Sequence, residues 1–165
     1  MDSIPFLKGL ISERSYVNMP SFDLEKLKKE DKELDGLDVP YRFGKGFDVS
    51  YTLDDGNWIE CDNGRLWSKS FKSNGALSLN FVFENFYLSD ESCLYIVNKD
   101  RSILYGPVKK NAIPDNGFFL TDIIPGDIAT IVLYEPFTQR GKCNLCIKKL
   151  YMDIEVFSLK CNIEK

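Results

Sequence analysis

Residues 73–84 read Ser73-Asn74-Gly75-Ala76-Leu77-Ser78-Leu79-Asn80-Phe81-Val82-Phe83-Glu84. A turn signal, Ser-Asn-Gly, is followed by strict alternation. Leu77, Leu79, Phe81 and Phe83 take one face, and Ser78, Asn80, Val82 and Glu84 take the other. A period of two puts alternate side chains on opposite sides of an extended chain, so this stretch predicts a half-buried β-strand with a phenylalanine-rich inner face.

The same texture extends in both directions. Upstream, Phe47, Val49, Tyr51 and Leu53 alternate with Asp48, Ser50 and Thr52, and Asp54-Asp55-Gly56-Asn57 turns into Trp58-Ile59-Glu60. Asp62-Asn63-Gly64 predicts a hairpin, because Asn-Gly suits a type I′ turn. Strand 65–72 then sets Trp67, Lys69 and Phe71 on one side. Downstream, strands are expected at 93–98, at 102–106 ended by Pro107, at 118–121, at 128–134 after the Pro125-Gly126-Asp127 turn, and as a last pair, 143–149 and 150–157. Short strands at regular spacing with turn residues between them predict a mainly β, antiparallel sandwich of jelly-roll type, with a closed barrel as the competing arrangement.

Ahead of the strands lies a different pattern. Residues 1–20 form an irregular lead, and 21–35 predict one short N-terminal helix. Ser21 is its N-cap, Leu24, Leu27 and Leu34 its apolar face, a run of lysines and acids its solvated face, and Gly36 its C-terminal stop. The expected organisation is a lead and helix over 1–38, a β-sandwich over 39–157 and a tail over 158–165.

Composition narrows the chemistry. The 165 residues include 21 basic and 25 acidic side chains and no histidine. That absence removes Ser-His-Asp and Cys-His nucleophilic arrangements, histidine general bases and His-containing metal sites. A net charge of −4 without a basic stripe argues against nucleic acid as a partner. No apolar run approaches a membrane span. Met1–Leu10 lacks a basic stretch followed by an apolar core, so no signal peptide is read there.

The remaining motifs carry little chemistry. Cys143-Asn-Leu-Cys146 is the one C-x-x-C, without a second knuckle for zinc and followed by a strand-like run rather than the helix that lowers a redox thiol's pKa. The five cysteines, 61, 93, 143, 146 and 161, are read as thiols in and around strands, although a disulfide between two of them is compatible with the sequence. Asp153 and Glu155 would sit roughly 7 Å apart on one strand face, a spacing a glycosidase could use and a solvated strand face also shows. The Asp54-Asp55 and Asp62-Asn63 turns are oxygen-rich, but such residues also serve a turn's own backbone, and neither has EF-hand spacing. No cofactor, metal or catalytic residue is expected. Tyr41, Tyr51, Tyr87 and Tyr105 are the candidate exposed rings for surface binding.

An ordered set of short motifs adds a resemblance. Val39-Pro40-Tyr41-Arg42-Phe43-Gly44 is followed by Trp58, Asn63-Gly64-Arg65-Leu66-Trp67 and Ala76-Leu77-Ser78-Leu79-Asn80. Phe86-Tyr87-Leu88, Leu94-Tyr95-Ile96-Val97, Gly106-Pro107 and Gly117-Phe118-Phe119-Leu120-Thr121 come next, then Pro125-Gly126-Asp127 and Tyr134-Glu135-Pro136. Over about residues 20–136 the chain resembles the N-terminal β-sandwich region that precedes the peptidase domain in secreted bacterial trypsin-like serine peptidases of the lysyl-endopeptidase type. The resemblance implies a non-enzymatic accessory or propeptide-like module with an extracellular or cell-envelope location. It also implies a protein partner such as a peptidase domain. No catalytic residue carries over, since the peptidase part has no counterpart here and the chain has no histidine. A carbohydrate- or cell-surface-binding sandwich is the alternative, motivated by the 22 aromatic residues (Phe 12, Tyr 8, Trp 2) and the acidic loops.

Overall fold

The computed structural model describes residues 16–20, 25, 26, 29, 44–100 and 104–153. Eleven strands are found among them: β1 (Tyr16–Asn18), β2 (Gly44–Thr52), β3 (Asn57–Glu60), β4 (Gly64–Lys72), β5 (Ser78–Tyr87), β6 (Cys93–Asn98), β7 (Leu104–Val108), β8 (Phe119–Leu120), β9 (Ile124–Pro125), β10 (Ile128–Pro136) and β11 (Asn144–Asp153). They form two sheets. The first runs β1-β4-β10-β6-β7, with β3 also on the edge of β4. The second runs β2-β11-β5-β8, with β9 also on β5.

The pairing follows one plan. β2 lies against β11 and β4 against β10. Likewise β5 lies against β8 and β9, and β6 against β7. First pairs with last and second with next-to-last, so an antiparallel ribbon is wrapped around a single core. That is a jelly roll, a sandwich with open edges rather than a closed barrel. β1 is the exception: it joins β4 in parallel, opposite Ser70, Phe71 and Lys72. Part of the lead expected to be irregular therefore extends the first sheet.

The core is the interleaved inner faces. Trp67 and Phe71 come from β4, Leu79, Phe81 and Phe83 from β5, Leu94 and Ile96 from β6, Ile131 and Leu133 from β10, and Ile147, Leu150 and Met152 from β11. All are buried, as the alternation requires. Phe71 joins the two layers, its ring 5.3 Å from that of Phe81 and 5.6 Å from that of Tyr51. Lys69 shares the inward side but sits at the margin, donating to the Asp55 carbonyl, its Nζ 4.6 Å from the Tyr51 ring.

Several local expectations need correction. Leu77 is exposed, because it precedes β5 in a turn whose backbone is tied to Asp153 and Gly126. The hairpin between β3 and β4 forms, but not as a type I′ turn on Asn63-Gly64, since neither residue has a positive φ. The Cys61 N–H instead donates to the Gly64 carbonyl across Asp62 and Asn63. Gly64 is needed for another reason: a Cβ there would lie 2.5 Å from the Glu135 carbonyl oxygen. Pro107 does not end its strand. β7 runs on to Val108, as an edge strand can when a proline withdraws one donor.

Residues 144–153 form one strand, not two consecutive ones. A register shift between Ile147 and Lys149 absorbs the irregularity without a turn. The continuation to 157 and the tail lie outside the described residues. So does most of the helix expected over 21–35; Glu25, Lys26 and Lys29 are helical but too few to bear it out. Among the described residues no helix is long and apolar enough to cross a membrane.

Candidate functional site

Two surface features stand out from an otherwise ordinary sandwich exterior. The first is an apolar strip along the β8–β9 edge of the second sheet. Residues 117–125 read Gly-Phe-Phe-Leu-Thr-Asp-Ile-Ile-Pro. Consecutive apolar residues in an edge strand cannot all face one core, because neighbours point to opposite sides. Phe119 and Ile124 turn inward, Phe119 resting 6.3 Å from the Phe83 ring and Ile124 fully buried. Phe118, Leu120 and Ile123 are left outside at 48%, 53% and 59% exposure. Leu120 stands opposite Val82 of β5, which is itself buried. The backbone of this edge is less available than its side chains. The strand is interrupted at Thr121, whose N–H and Oγ1 are already bonded to Phe81, and it ends in Pro125. The doubled apolar pairs, Phe118-Phe119 and Ile123-Ile124, were the sequence signal for this strip.

The second feature is a cleft of about 1230 Å³ at one end of the sandwich. Its walls are the end of β5, the turn into β6, and the segment from Pro107 to Gly117. The Phe86 N–H donates to the Gly117 carbonyl at 3.0 Å, which clasps that segment to β5. Gly117 has φ +72° and would carry a Cβ 3.1 Å from Phe86 N, so the clasp requires glycine. Tyr87 presents its ring at the rim, 49% exposed. Lys110 Nζ lies 5.6 Å from the centre of that ring and 3.3 Å from Asp90 Oδ1. The Asp90 carboxylate is the main reason the Lys110 ammonium titrates above its ordinary value.

Deeper in, Cys93, Tyr95 and Tyr134 line the cleft. Burial pushes the Tyr134 phenol up, and the neighbouring Cys61, Cys93 and Glu91 add to the effect. Burial also pushes the Cys93 thiol up, which makes it a poor nucleophile at neutral pH. Two residues of this wall, Asn85 (φ 49°) and Glu91 (φ 64°), are the non-glycine residues with positive φ among those described. Glutamate in that region is strained where glycine would not be. Glu91→Gly is therefore expected to stabilise the fold by about 0.5–1 kcal/mol, read as a raised urea midpoint at unchanged slope. A lowered midpoint would mean that the Glu91 side chain holds the turn.

The tyrosines singled out in the sequence do not converge. Tyr87 alone lines the cleft, where it meets Tyr95 and Tyr134. Tyr51 packs edge-on against Phe71, and Tyr105 packs on the core from β7, its phenol raised by burial. Tyr41 lies outside the described residues. Tyr95 and Tyr134 are not legible as site residues in the sequence, because strand alternation says which face a ring takes but not that loops will rise around it.

The polar motifs mostly have structural partners. Asp55 accepts from the Thr52 N–H at 2.7 Å and closes a capping box over the short 3-10 turn Leu53–Asp55. Asp153 accepts from Ser78 Oγ, and Glu155 lies outside the described residues. Cys143 precedes β11 and packs into the core beside Ser89 Oγ at 3.3 Å, whereas Cys146 is not part of that cluster. Cys61, Cys93, Cys143 and Cys146 are free thiols. Among the described residues, no three carboxylates or thiols converge as a metal site would need.

Among the described residues the buried charged side chain is Glu135, on the inner face of β10. Arg65 Nε donates to it at 2.8 Å, the Gly141 N–H at 3.0 Å and the Cys143 N–H at 3.4 Å. Its lone pairs are committed to holding the turn before β11, which makes it a structural carboxylate. Fold and surface together define a jelly-roll domain with an apolar edge and a tyrosine-lined end cleft of mixed polarity. No protein-family model matches the chain.

Proposed function

We propose that this chain is a non-enzymatic accessory module that acts by docking onto a protein partner through the β8–β9 strip. The observation that carries the reading is the trio Phe118, Leu120 and Ile123, three large apolar side chains exposed within six residues. Such a grouping costs solubility and is used where a partner covers it. The ordered motifs support the choice of partner class, a trypsin-like peptidase domain in an extracellular or envelope setting. Several of them take fold-holding positions: Gly64 under β10, Gly117 at the clasp, Glu135 in the buried bond set, and Pro125-Gly126-Asp127 tied to residues 73 and 77 by two backbone hydrogen bonds. A non-catalytic role agrees with a buried carboxylate consumed by structure and a cleft thiol whose titration is raised rather than lowered.

The test is calorimetric titration of the chain against a lysyl-specific trypsin-like peptidase domain prepared without its own leader. Binding is expected, and the double change Leu120→Ser/Ile123→Ser is expected to weaken it at least about tenfold, since buried aliphatic anchors carry such interfaces. The same variant should unfold at nearly the parent temperature, because both side chains are exposed in the free domain. Absence of binding, or hydrolysis of peptide or ester substrates by the chain itself, would overturn the proposal.

A further inference from the structure

The end cleft meets the 117–125 segment only at Gly117 and includes none of Phe118, Leu120 and Ile123, and its chemistry is different. We propose that the cleft is a carbohydrate-binding site that takes an oligosaccharide, a role independent of the protein contact above.

Size comes first. Small-ligand pockets usually enclose about 300–1000 Å³, and this cleft exceeds that while staying open at the surface, so it suits a chain of linked rings better than a single small molecule. A second depression of about 420 Å³, lined by Cys61, Asp62 and Asn63, shares Tyr134 with the first.

Lining chemistry comes second. Among the large exposed apolar and aromatic side chains of the described residues, Tyr87 alone belongs to the cleft; Phe118, Leu120 and Ile123 lie on the strip. The cleft thus offers one exposed ring for stacking, Tyr87, on a wall where Phe86, Leu88, Ile113 and Pro114 are mixed with polar groups. Around the ring stand acceptors (Asp90, Glu91, Asp115) and donors (Lys109, Lys110), with Asn85 and Asn116 able to do either. Carboxylates and ammonium groups are interleaved, and Lys110 is already paired with Asp90, so neither a cation nor an anion is favoured. A neutral polyol, whose hydroxyls both donate and accept, matches that mixture.

Strain comes third. Both non-glycine positive-φ residues among those described, Asn85 and Glu91, are in this wall, although the turn at 91 could be made by glycine without penalty. Strained backbone gathers at ligand sites where the side chain is needed in place.

The experiment is a glycan array followed by calorimetric titration with hexaoses of glucose, mannose and N-acetylglucosamine. Binding with Kd between about 10 μM and a few mM is expected. Tyr87→Ala should weaken it at least about tenfold and Tyr87→Phe by no more than about threefold, since the ring rather than the hydroxyl stacks. Glu91→Gly should weaken it several-fold, while Leu120→Ser/Ile123→Ser should leave it unchanged. No binding on the array and none in titrations to about 10 mM overturns the proposal, as does binding indifferent to both Tyr87→Ala and Glu91→Gly. Either failure leaves the peptidase contact untouched, because that contact is read with a different probe and different variants.

Discussion

Replacing Glu135 by alanine is expected to lower the free energy of unfolding by about 3–5 kcal/mol. The side chain is 0% exposed and accepts from Arg65, Gly141 and Cys143. Removing it leaves the Arg65 guanidinium, itself 3.7 Å from the Trp58 ring centre, without its carboxylate in a mostly buried place. The N–H groups of exposed Gly141 and buried Cys143 lose their acceptor as well, and for Cys143 an unsatisfied buried donor costs more than the bond it made was worth. Glu135→Gln should cost less, because an amide oxygen can still accept although the charge-assisted bond from Arg65 is lost. Urea unfolding with an unchanged slope measures both. Hydrogen exchange at Gly141 and Cys143 should quicken in the alanine variant if the carboxylate pins that turn. A loss below about 1 kcal/mol in Glu135→Ala would show that solvent or a neighbouring group replaces it.

Phe71→Ala is the second large effect, again about 3–5 kcal/mol. Phe71 projects from β4 in the first sheet to touch Tyr51 and Phe81 of the second, so its removal opens a void between the layers. The cost combines lost burial, the residual cavity and two ring contacts worth about 0.5–1.5 kcal/mol each. In a chain of this length the melting temperature should fall on the order of 10 °C. Phe71→Leu should recover most of the loss, since it refills much of the space. If both variants lose equally, the ring contacts rather than the volume hold the sheets together.

Much of the fold was legible in the chain because strand alternation is local. Leu79, Phe81 and Phe83 announce an inner face without reference to any other strand, and they are buried. The errors fell where local chemistry has two solutions. Asn63-Gly64 fits a type I′ turn, yet the glycine is required by β10 passing close by, a contact with residues some 70 positions away along the sequence. Residues 144–153 contain a register shift within one strand where two consecutive strands are expected from the alternation. Of the candidate site, Tyr87 was visible as a ring on a strand end, whereas Tyr95 and Tyr134 became cleft residues through the loops around them.

The sequence by itself determined that this is a mainly β sandwich with no histidine chemistry, since periodicity and composition are properties of the chain alone. Only the tertiary structure decided that the strands wrap as nested pairs, that Glu135 is a structural carboxylate, and that Leu120 and Ile123 face outward. It also decided that Tyr87, Tyr95 and Tyr134 share one cleft. The reason is physical. Alternation fixes which side of a strand a residue takes, but which strands become neighbours and which loops meet is set by long-range pairing, and burial and hydrogen bonding follow from that pairing.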